Sequence, residues 1–353
     1  MITTVVGNFP KVAEPGYGTQ VIGALNRWQK QELSDAGLEE VFQGVTRTVI
    51  KEHEDAGIDL VTDGQIRWED LVTPLARKLD GFTINGLERF FDNNVYYRKP
   101  ILQSKPVRKQ PVFLQEYLFA KRCTSRPIKV VLPGPYTFVS LSEDRYYRNQ
   151  AKFLRRMAEI LNEEARALAQ AGASLIQFDE PALGFGKPPL KEIRGALQVA
   201  VAGLPTKTAL YTYFGSVTAE TLRMLQRVPV DLIGVDVVSD PKVLGAVRRL
   251  KWTKELAVGC LDARNTKLES VTELHALFDV LRRLVPTDRF TVNPNCGLEF
   301  LPHRQAVEKI RRLAEAVRTY RPDSNGRSLA ARPRTGRRRT TRLAPRGSRT
   351  GDR

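Results

Sequence analysis

Short apolar segments alternate with longer segments of helical periodicity along most of the chain. The clearest helical pattern begins after Ser34, a residue type that favours the N-cap position. It stops before Gly57, which suits a left-handed C-terminal cap. Between them the apolar residues recur three or four positions apart, as in an amphipathic helix. The pattern therefore predicts a helix here, with an apolar side formed by Leu38, Val41, Phe42, Val45, Val49 and Ile50.

The apolar segments between the helical ones are rich in Val, Ile and Leu, as in parallel strands that are buried on both faces. Eight such strands, each followed by a helix, close into a barrel. The alternative is an open doubly wound sheet, which would carry a glycine-rich phosphate turn after the first strand, and the segment at 7–10 is not one. The predicted fold class is therefore α/β, a (β/α)8 TIM barrel. Its strands are expected at residues 2–7, 58–61, 128–132, 174–178, 206–212, 232–235, 256–259 and 290–292, with helices at about 149–172, 191–203, 218–227, 242–250, 268–285 and 303–320.

Two parts of the chain depart from this alternation. Residues 70–125, after the second strand, have an irregular pattern that predicts an inserted helix and hairpin. Residues 321–353 contain eleven arginines and two aspartates, and so carry +9 of the formal net charge of +17. This segment has almost no apolar residues, so it cannot bury enough surface to offset its ordering entropy. We therefore expect a barrel domain over residues 1–320 and a disordered basic tail over residues 321–353.

The charge and the composition also bear on partners and location. The basic tail could be an arm for anionic surfaces or a solvated extension. It has no aromatic residues between its arginines to stack on bases, so nucleic acid is not an expected partner. No apolar stretch is long enough to span a membrane, and the first residues do not resemble a signal peptide. Three cysteines are too few for a disulfide framework, so we expect a cytoplasmic location.

Nearly every predicted strand ends at a polar residue. In a barrel these ends meet on one face, where the active sites of this fold lie. Each polar residue taken alone could simply begin a loop, and that alternative stays open. Together they predict a functional site formed from Asn8, Asp63, Gln65, Thr137, Asp179, Glu180, Tyr213, Asp236, Asp262, Arg264, Asn293 and Cys296.

Two adjacent acids, Asp179 and Glu180, form the sharpest local feature, since they follow an apolar strand and precede Pro181. Side chains alternate along a strand, so one carboxylate should face the barrel mouth and the other should face away. An inward carboxylate suits the binding of a substrate ammonium group or general-base catalysis. The alternative is a structural acid held in an ion pair.

Cys296 is the cysteine best placed for chemistry, because it stands at a strand end between Asn295 and Gly297. It could be a thiolate metal ligand or a nucleophile, or an inert core residue. Cys123 and Cys260 are expected to be structural. A histidine-rich metal site is not expected, because the chain has only the dispersed residues His53, His275 and His303.

Several motifs in order along the chain resemble the cobalamin-independent methionine synthases, including their short archaeal-type relatives, over roughly residues 3–318. The resemblance implies a β/α barrel that transfers a methyl group from a folate or corrinoid donor to the thiol of homocysteine, both small-molecule substrates. It also implies a zinc ion that binds this thiol and lowers its pKa. The motifs are Val6-Gly7-Asn8-Phe9-Pro10, Thr62-Asp63-Gly64-Gln65-Ile66-Arg67, Gly134-Pro135-Tyr136-Thr137, Ile176-Gln177-Phe178-Asp179-Glu180-Pro181-Ala182-Leu183, Gly259-Cys260-Leu261-Asp262-Ala263-Arg264-Asn265 and Asn293-Pro294-Asn295-Cys296-Gly297-Leu298.

The resemblance also implies roles for individual residues. Asp179 would meet the homocysteine amino group, and the Gly7-Asn8 backbone would lie near its carboxylate. Cys296 matches the last zinc cysteine and Asp236 the acidic zinc ligand. The predicted catalytic residues are therefore Asp179 and Cys296, the predicted metal ligands are Cys296 and Asp236, and the predicted substrate-binding residues are Gly7, Asn8, Gln65, Asp179, Glu180 and Tyr213.

The sequence departs from the family pattern after the fifth strand. The catalytic barrels carry a His-x-Cys zinc pair there, whereas this chain has Tyr213 and Gly215, and Gln65 replaces the usual glutamate. The segment Tyr213-Phe214-Gly215 resembles the non-catalytic amino-terminal barrel of the long enzymes. An alternative is therefore a zinc-less, non-catalytic barrel that binds a folate-like ligand or pairs with a separate catalytic barrel. A third possibility is a related enzyme that acts on another thiol or methylated substrate without zinc.

Overall fold

The structure, a computed structural model, describes residues 1–11, 18–91 and 95–322. Strands and helices alternate through these residues. The strands are β1 (Ile2–Thr3), β2 (Asp80–Arg89), β3 (Tyr96–Val107), β4 (Lys129–Pro133), β5 (Glu143–Asp144), β6 (Leu175–Asp179), β7 (Lys207–Tyr211), β8 (Leu232–Asp236), β9 (Glu255–Leu261) and β10 (Phe290–Pro294). The helices are α1 (Gly18–Gln29), α2 (Asp35–Ala56), α3 (Thr73–Arg77), α4 (Leu114–Cys123), α5 (Pro135–Ser140), α6 (Gln150–Gln170), α7 (Leu190–Ala200), α8 (Ala219–Leu225), α9 (Val243–Arg249), α10 (Val271–Leu281) and α11 (His303–Thr319).

A ring of parallel strands forms the centre of the protein. Seven strands pair in the order β1-β10-β9-β8-β7-β6-β4. Single parallel bridges from Thr4 to Leu60 and from Val61 to Ile128 join the two ends of this sheet. The predicted TIM barrel is therefore confirmed, although the second predicted strand, 58–61, is reduced to these bridges.

The barrel strands are buried along their whole length, as their apolar sequences predict. Every residue of β6, β8 and β10 is buried, because helices cover the outside of the ring and side chains fill the inside. Strands that are buried on both faces form the hydrophobic core without the in-and-out alternation of a half-exposed sheet. The polar residues that these strands do contain therefore stand out as exceptions, and they lie mostly near the carboxyl ends.

Capping residues fix the ends of the long helices close to the positions that the sequence predicts. The Ser34 side chain accepts a hydrogen bond from the amide of Gly37, and Gly57 ends α2 with a φ of 90°. Asn149 caps α6 and Ser270 forms a capping box on α10. These side chains satisfy amides that the first turn of a helix leaves without partners.

Two helices have no counterpart among the predictions. The sequence of α1 contains Gly18 and Gly23, which lower its helix propensity. The sequence of α5 is rich in aromatic and β-branched residues, which also favour other structures. Helix α5 forms because the buried carboxylate of Glu180 accepts hydrogen bonds from its first amides, an interaction that comes from a distant part of the chain.

The inserted segment has the predicted helix-and-hairpin character. Strands β2 and β3 pair antiparallel, and β3 also pairs with the short strand β5. Helices α3 and α4 flank this small sheet along the chain. The insertion reaches the carboxyl face of the barrel, where it supplies Phe90 and Tyr96 to the wall of a cavity.

The predicted disordered tail falls almost wholly outside the described residues, which end at residue 322. Its disorder and the domain boundary at residue 320 stay predictions. Within the described ranges, no helix is both long enough and apolar enough to cross a membrane.

Candidate functional site

A cavity of about 360 Å³ opens at the carboxyl ends of the barrel strands. Its walls are mostly apolar, with aromatic rings from the insertion and from the loops after β7 and β10. A few polar groups converge within these walls, as in small-molecule sites generally. The polar side chains of the lining include Asn8, Lys11, Gln65, Asp179, Tyr213 and Glu299, and the aromatic ones are Phe42, Trp68, Phe90, Tyr96, Phe214 and Phe300.

Asp179 stands at the inner end of this cavity, at the last position of β6. Its Oδ1 accepts a hydrogen bond of 2.7 Å from the Gln177 side chain, and its Oδ2 accepts one of 2.9 Å from the Tyr213 hydroxyl. Gln177 lies two residues before Asp179, so both side chains point into the barrel. The site of Asp179 is therefore fixed by groups within the barrel interior.

A buried lysine extends this network. The Lys129 ammonium donates to Gln177 Oε1 over 2.7 Å and lies 4.9 Å from the ring centre of Tyr211. Burial raises the pKa of Asp179 and lowers the pKa of Lys129, and the attraction between the two groups opposes both shifts. Burial also holds the pKa of Tyr213 well above its usual value, so this phenol stays protonated and donates to Asp179.

Glu180 points away from the cavity, as the alternation along the strand predicts for one of the two acids. Its two carboxylate oxygens accept hydrogen bonds from the amides of Tyr136 and Thr137, at 2.9 and 2.7 Å, and from the Thr137 hydroxyl at 2.7 Å. Burial raises its pKa to about 7, and these donors oppose the shift. This geometry assigns Glu180 to the start of α5 and does not favour the predicted contact with substrate.

Loops after three strands are tied together beside Asp179. The amide of Leu298 donates to the carbonyl of Asn8 over 2.9 Å, and the Thr62 hydroxyl donates to the carbonyl of Gly7 over 3.1 Å. A Cβ atom on Gly7 would lie 2.5 Å from Oε1 of Gln65, so the Gln65 side chain packs directly against the bare backbone of Gly7. The structure thus brings the predicted residues Gly7, Asn8 and Gln65 together with Asp179 and Tyr213.

The ionisable residues of the cavity that were not predicted are Lys11 and Glu299, with Arg67, Glu69 and Asp70 also in its lining. Lys11 donates to Oδ1 of Asn8 over 3.2 Å and to the carbonyl of Trp68, and burial lowers its pKa to about 8. Burial raises the pKa of Glu299 to about 7, while Lys11 and the backbone amide of Glu299 oppose the shift. Neither Lys11 nor Glu299 ends a strand, whereas the predicted site residues all lie at or just after strand ends.

The residues at the expected zinc positions do not fit a zinc site. Cys296 is fully buried, burial raises the pKa of its thiol well above the usual value, and its Sγ donates to the carbonyl of Gly297. The Asp236 carboxylate accepts hydrogen bonds from the amides of Val238 and Ser239 and from Asn295. Structural zinc normally has four protein ligands and catalytic zinc three.

The remaining zinc positions offer no replacement ligands. The Tyr213 hydroxyl is committed to Asp179. A Cβ atom on Gly215 would lie 2.9 Å from the carbonyl oxygen of Gly184, so no side chain fits there. In the part of the chain that the structure describes, no three His, Cys, Asp or Glu side chains are grouped to hold a metal ion. Cys296 and Asp236 also lie outside the lining of the cavity.

Comparisons with known proteins agree with this fold. The chain matches the family model described as "Cobalamin-independent synthase, Catalytic domain" over residues 1–319. It is 31% identical to the methionine synthase of Sulfolobus acidocaldarius over 322 residues, which are 91% of this chain and 92% of that protein. It is 30% identical to the methionine synthase of Saccharolobus islandicus over 324 residues, 91% of this chain and 95% of that protein. A solved structure of a B12-independent methionine synthase from Shewanella sp. W3-18-1, in complex with selenomethionine, is 26% identical with a TM-score of 0.75 and covers 90% of this chain and 97% of that chain.

Proposed function

The chain belongs to the cobalamin-independent synthase family, and on this premise we propose that it transfers a methyl group to the thiol of homocysteine. The observation that carries the proposal is the cavity at the carboxyl ends of the strands, where Asp179 is held between Gln177 and Tyr213. Its size suits an amino acid together with part of a methyl donor. The methyl donor is a reduced folate or a corrinoid.

The polar groups of the cavity suit the two ends of an amino acid. Asp179 would receive the ammonium group, since its carboxylate oxygens retain lone pairs beside the bonds from Gln177 and Tyr213. The Gln65 side-chain amide and the Gly7-Asn8 backbone would face the carboxylate. Cys296 would support the β10 loop rather than react, because its thiol is buried and its pKa is raised.

The alternative of a non-catalytic barrel is not favoured. The family model that matches residues 1–319 describes a catalytic domain. The relatives named methionine synthase are covered over 92% and 95% of their length by this one chain, so a second barrel is not needed to match them. These matches support an enzyme that acts through its own cavity.

The test is an assay of the purified full chain with homocysteine and either methyltetrahydrofolate, as mono- and triglutamate, or methylcobalamin. We expect methionine, detected by mass spectrometry, with at least one donor. Asp179→Asn should lower kcat/KM by about 10²- to 10⁴-fold, because it removes the charge that holds the ammonium group. Asp288→Asn, an exposed position outside the cavity, is the matched control and should not change the rate. Absence of methionine with every donor would contradict the proposal.

A further inference from the structure

Some polar side chains of the cavity have hydrogen-bond partners, and others have atoms without a partner among the described residues. Both oxygens of Asp179 already accept bonds, and the Tyr213 hydroxyl is donated to one of them. By contrast, Oε2 of Glu299 and Nε2 of Gln65 are buried and have no hydrogen-bond partner among the described residues. Buried polar atoms without partners are costly, so their presence in a cavity points to groups on a ligand that complete them. Glu299 offers an acceptor and Gln65 a donor.

The position of Glu299 places this acceptor among the reactive groups. A Cβ atom on Gly297 would lie 2.0 Å from Oε2 of Glu299, so the carboxylate folds back over the bare backbone of that glycine. Its charge acts on the pKa values of Asp179, Tyr213 and Cys296, which surround it from β6 and from the loops after β7 and β10. From the loop after β1, Lys11 supplies the opposing charge.

Methyl transfer to a thiol requires that the thiol first lose its proton, because the thiolate is the nucleophile. The positions at which relatives are expected to bind a thiol-activating metal hold Tyr213 and Gly215 in this chain, and the donor set there does not fit a metal. Without a metal at that place, a base in the cavity can take up the proton. Of the carboxylates in the lining, Asp179 is committed to its two donors and to the substrate ammonium, Asp70 accepts hydrogen bonds from Thr73 and Arg98, and Glu69 pairs with Arg77. This leaves the free oxygen of Glu299.

We propose, as a deepening of the methyltransferase function above, that Glu299 is the base that takes the proton of the acceptor thiol. The S–H proton passes to Oε2 of Glu299, and the sulfur electron pair forms the bond to the methyl carbon. The bond between that carbon and the donor nitrogen of a reduced folate breaks, and its electron pair stays on the nitrogen. The Glu299 carboxylic acid then returns the proton to that nitrogen, so the carboxylate is restored.

The acid–base properties of Glu299 agree with this role. Burial raises its pKa to about 7, with Lys11 opposing the shift. A base is most effective when its pKa lies near the working pH. The carboxylate must be ionised to accept the proton, so the rate should fall as the pH falls through this pKa.

The experiment compares the full chain with Glu299→Gln, which keeps the shape but removes the base, with homocysteine as acceptor and methyltetrahydrofolate as donor. We expect kcat at saturating homocysteine to fall by about 10²- to 10⁴-fold and its decline below about pH 7 to disappear, whereas the acidic decline of kcat/KM that follows protonation of Asp179 should remain. Glu299→Asp should restore part of the rate and shift the decline. Glu192→Gln, an exposed position on α7, is the matched control and should behave as the parent chain. Thermal unfolding of each variant establishes that it is folded.

Three outcomes separate this inference from the function it rests on. A wild-type chain that makes methionine while Glu299→Gln retains its rate within about threefold, with the same acidic decline, would overturn the role of Glu299 alone. A wild-type chain that makes no methionine would overturn the proposed function. If Glu299→Gln does not fold, the wild-type chain is compared with Glu299→Asp. The inference would be overturned if the rate of both declined at the same acidic pH.

Discussion

The carboxyl face of this barrel has two unlike halves. On one half, the loops after β1, after residue 61 and after β10 surround an open cavity together with Asp179 and Tyr213, and Nε2 of Gln65 and Oε2 of Glu299 have no partner there among the described residues. On the other half, the loop segments at Gly184 after β6, at Gly215 and Ser216 after β7 and at Asp240 after β8 contact one another. There the backbones at Gly184 and Gly215 are in contact. The carboxylate of Asp236 accepts hydrogen bonds from amides of its own loop and from the side chain of Asn295.

The difference shows that one part of the ring of loops stabilises the fold and another part is available to bind a ligand. The closed half has satisfied its polar groups within the protein, so it contributes to folding and offers little to a ligand. The open half keeps polar atoms without partners at a cost in free energy, which is typical of functional sites. Of the expected zinc positions in this chain, Gly215 and Asp236 fall on the closed half, Tyr213 lines the cavity as a donor to Asp179, and Cys296 is buried outside the cavity lining. The chemistry of this chain is therefore concentrated around Asp179 and Glu299.

The largest effect on the closed half should come from adding one methyl group at Gly215. Gly215→Ala places a Cβ atom 2.9 Å from the Gly184 carbonyl oxygen, so the backbones must separate. We expect a loss of about 1–3 kcal/mol in the free energy of unfolding, measured by urea titration. Gly195→Ala on α7, where a Cβ atom meets nothing within 4 Å, is the control and should be stabilising by about 0.5–1 kcal/mol. Equal stability of the two variants would show that the contact is not tight.

A smaller loss should follow Asp236→Asn. The new amide can still accept from the amides of Val238 and Ser239, but its NH₂ group faces the NH₂ group of Asn295, so that hydrogen bond is lost. We expect a loss of about 1–2 kcal/mol in the free energy of unfolding and unchanged zinc content. Loss of bound zinc from this variant would instead identify Asp236 as a metal ligand.

On the open half, by contrast, a substitution should raise the free energy of unfolding. Gln65→Met replaces an amide whose Nε2 is buried without a partner among the described residues by an apolar group of similar length. We expect the free energy of unfolding to rise by up to about 1 kcal/mol, while KM for homocysteine rises by about tenfold because a donor to its carboxylate is gone. A variant that is less stable and binds homocysteine unchanged would show that Gln65 is structural.

The sequence reveals those parts of the fold that depend on local signals. Ser34 and Gly57 mark the ends of α2 by the hydrogen bonds that their types can make, and the apolar strands mark the barrel. The helix α5 escaped prediction because its first amides are satisfied by Glu180, more than forty residues later. The strand at 58–61 is reduced to single bridges by its pairing with neighbours, which its composition does not determine.

The candidate site divides in the same way. Asp179 could be identified because it ends an apolar strand, and the alternation along that strand separates it from Glu180. Lys11 and Glu299 could not be identified from the sequence, because they lie within loops. They come together only when the barrel closes and brings β1 next to β10. The family resemblance predicted Cys296 and Asp236 as metal ligands. In the structure the thiol of Cys296 donates to the carbonyl of Gly297, and the carboxylate of Asp236 accepts a hydrogen bond from Asn295.

The central claim is that this chain methylates homocysteine with the groups around Asp179 and Glu299, without the expected zinc site. The most direct test measures methionine formation and zinc content in the same sample of purified full chain, before and after treatment with a chelator. The account predicts methionine formation at a zinc content far below one ion per chain and no loss of rate on chelation. A rate that follows zinc content, vanishes on chelation and returns with added zinc would contradict it.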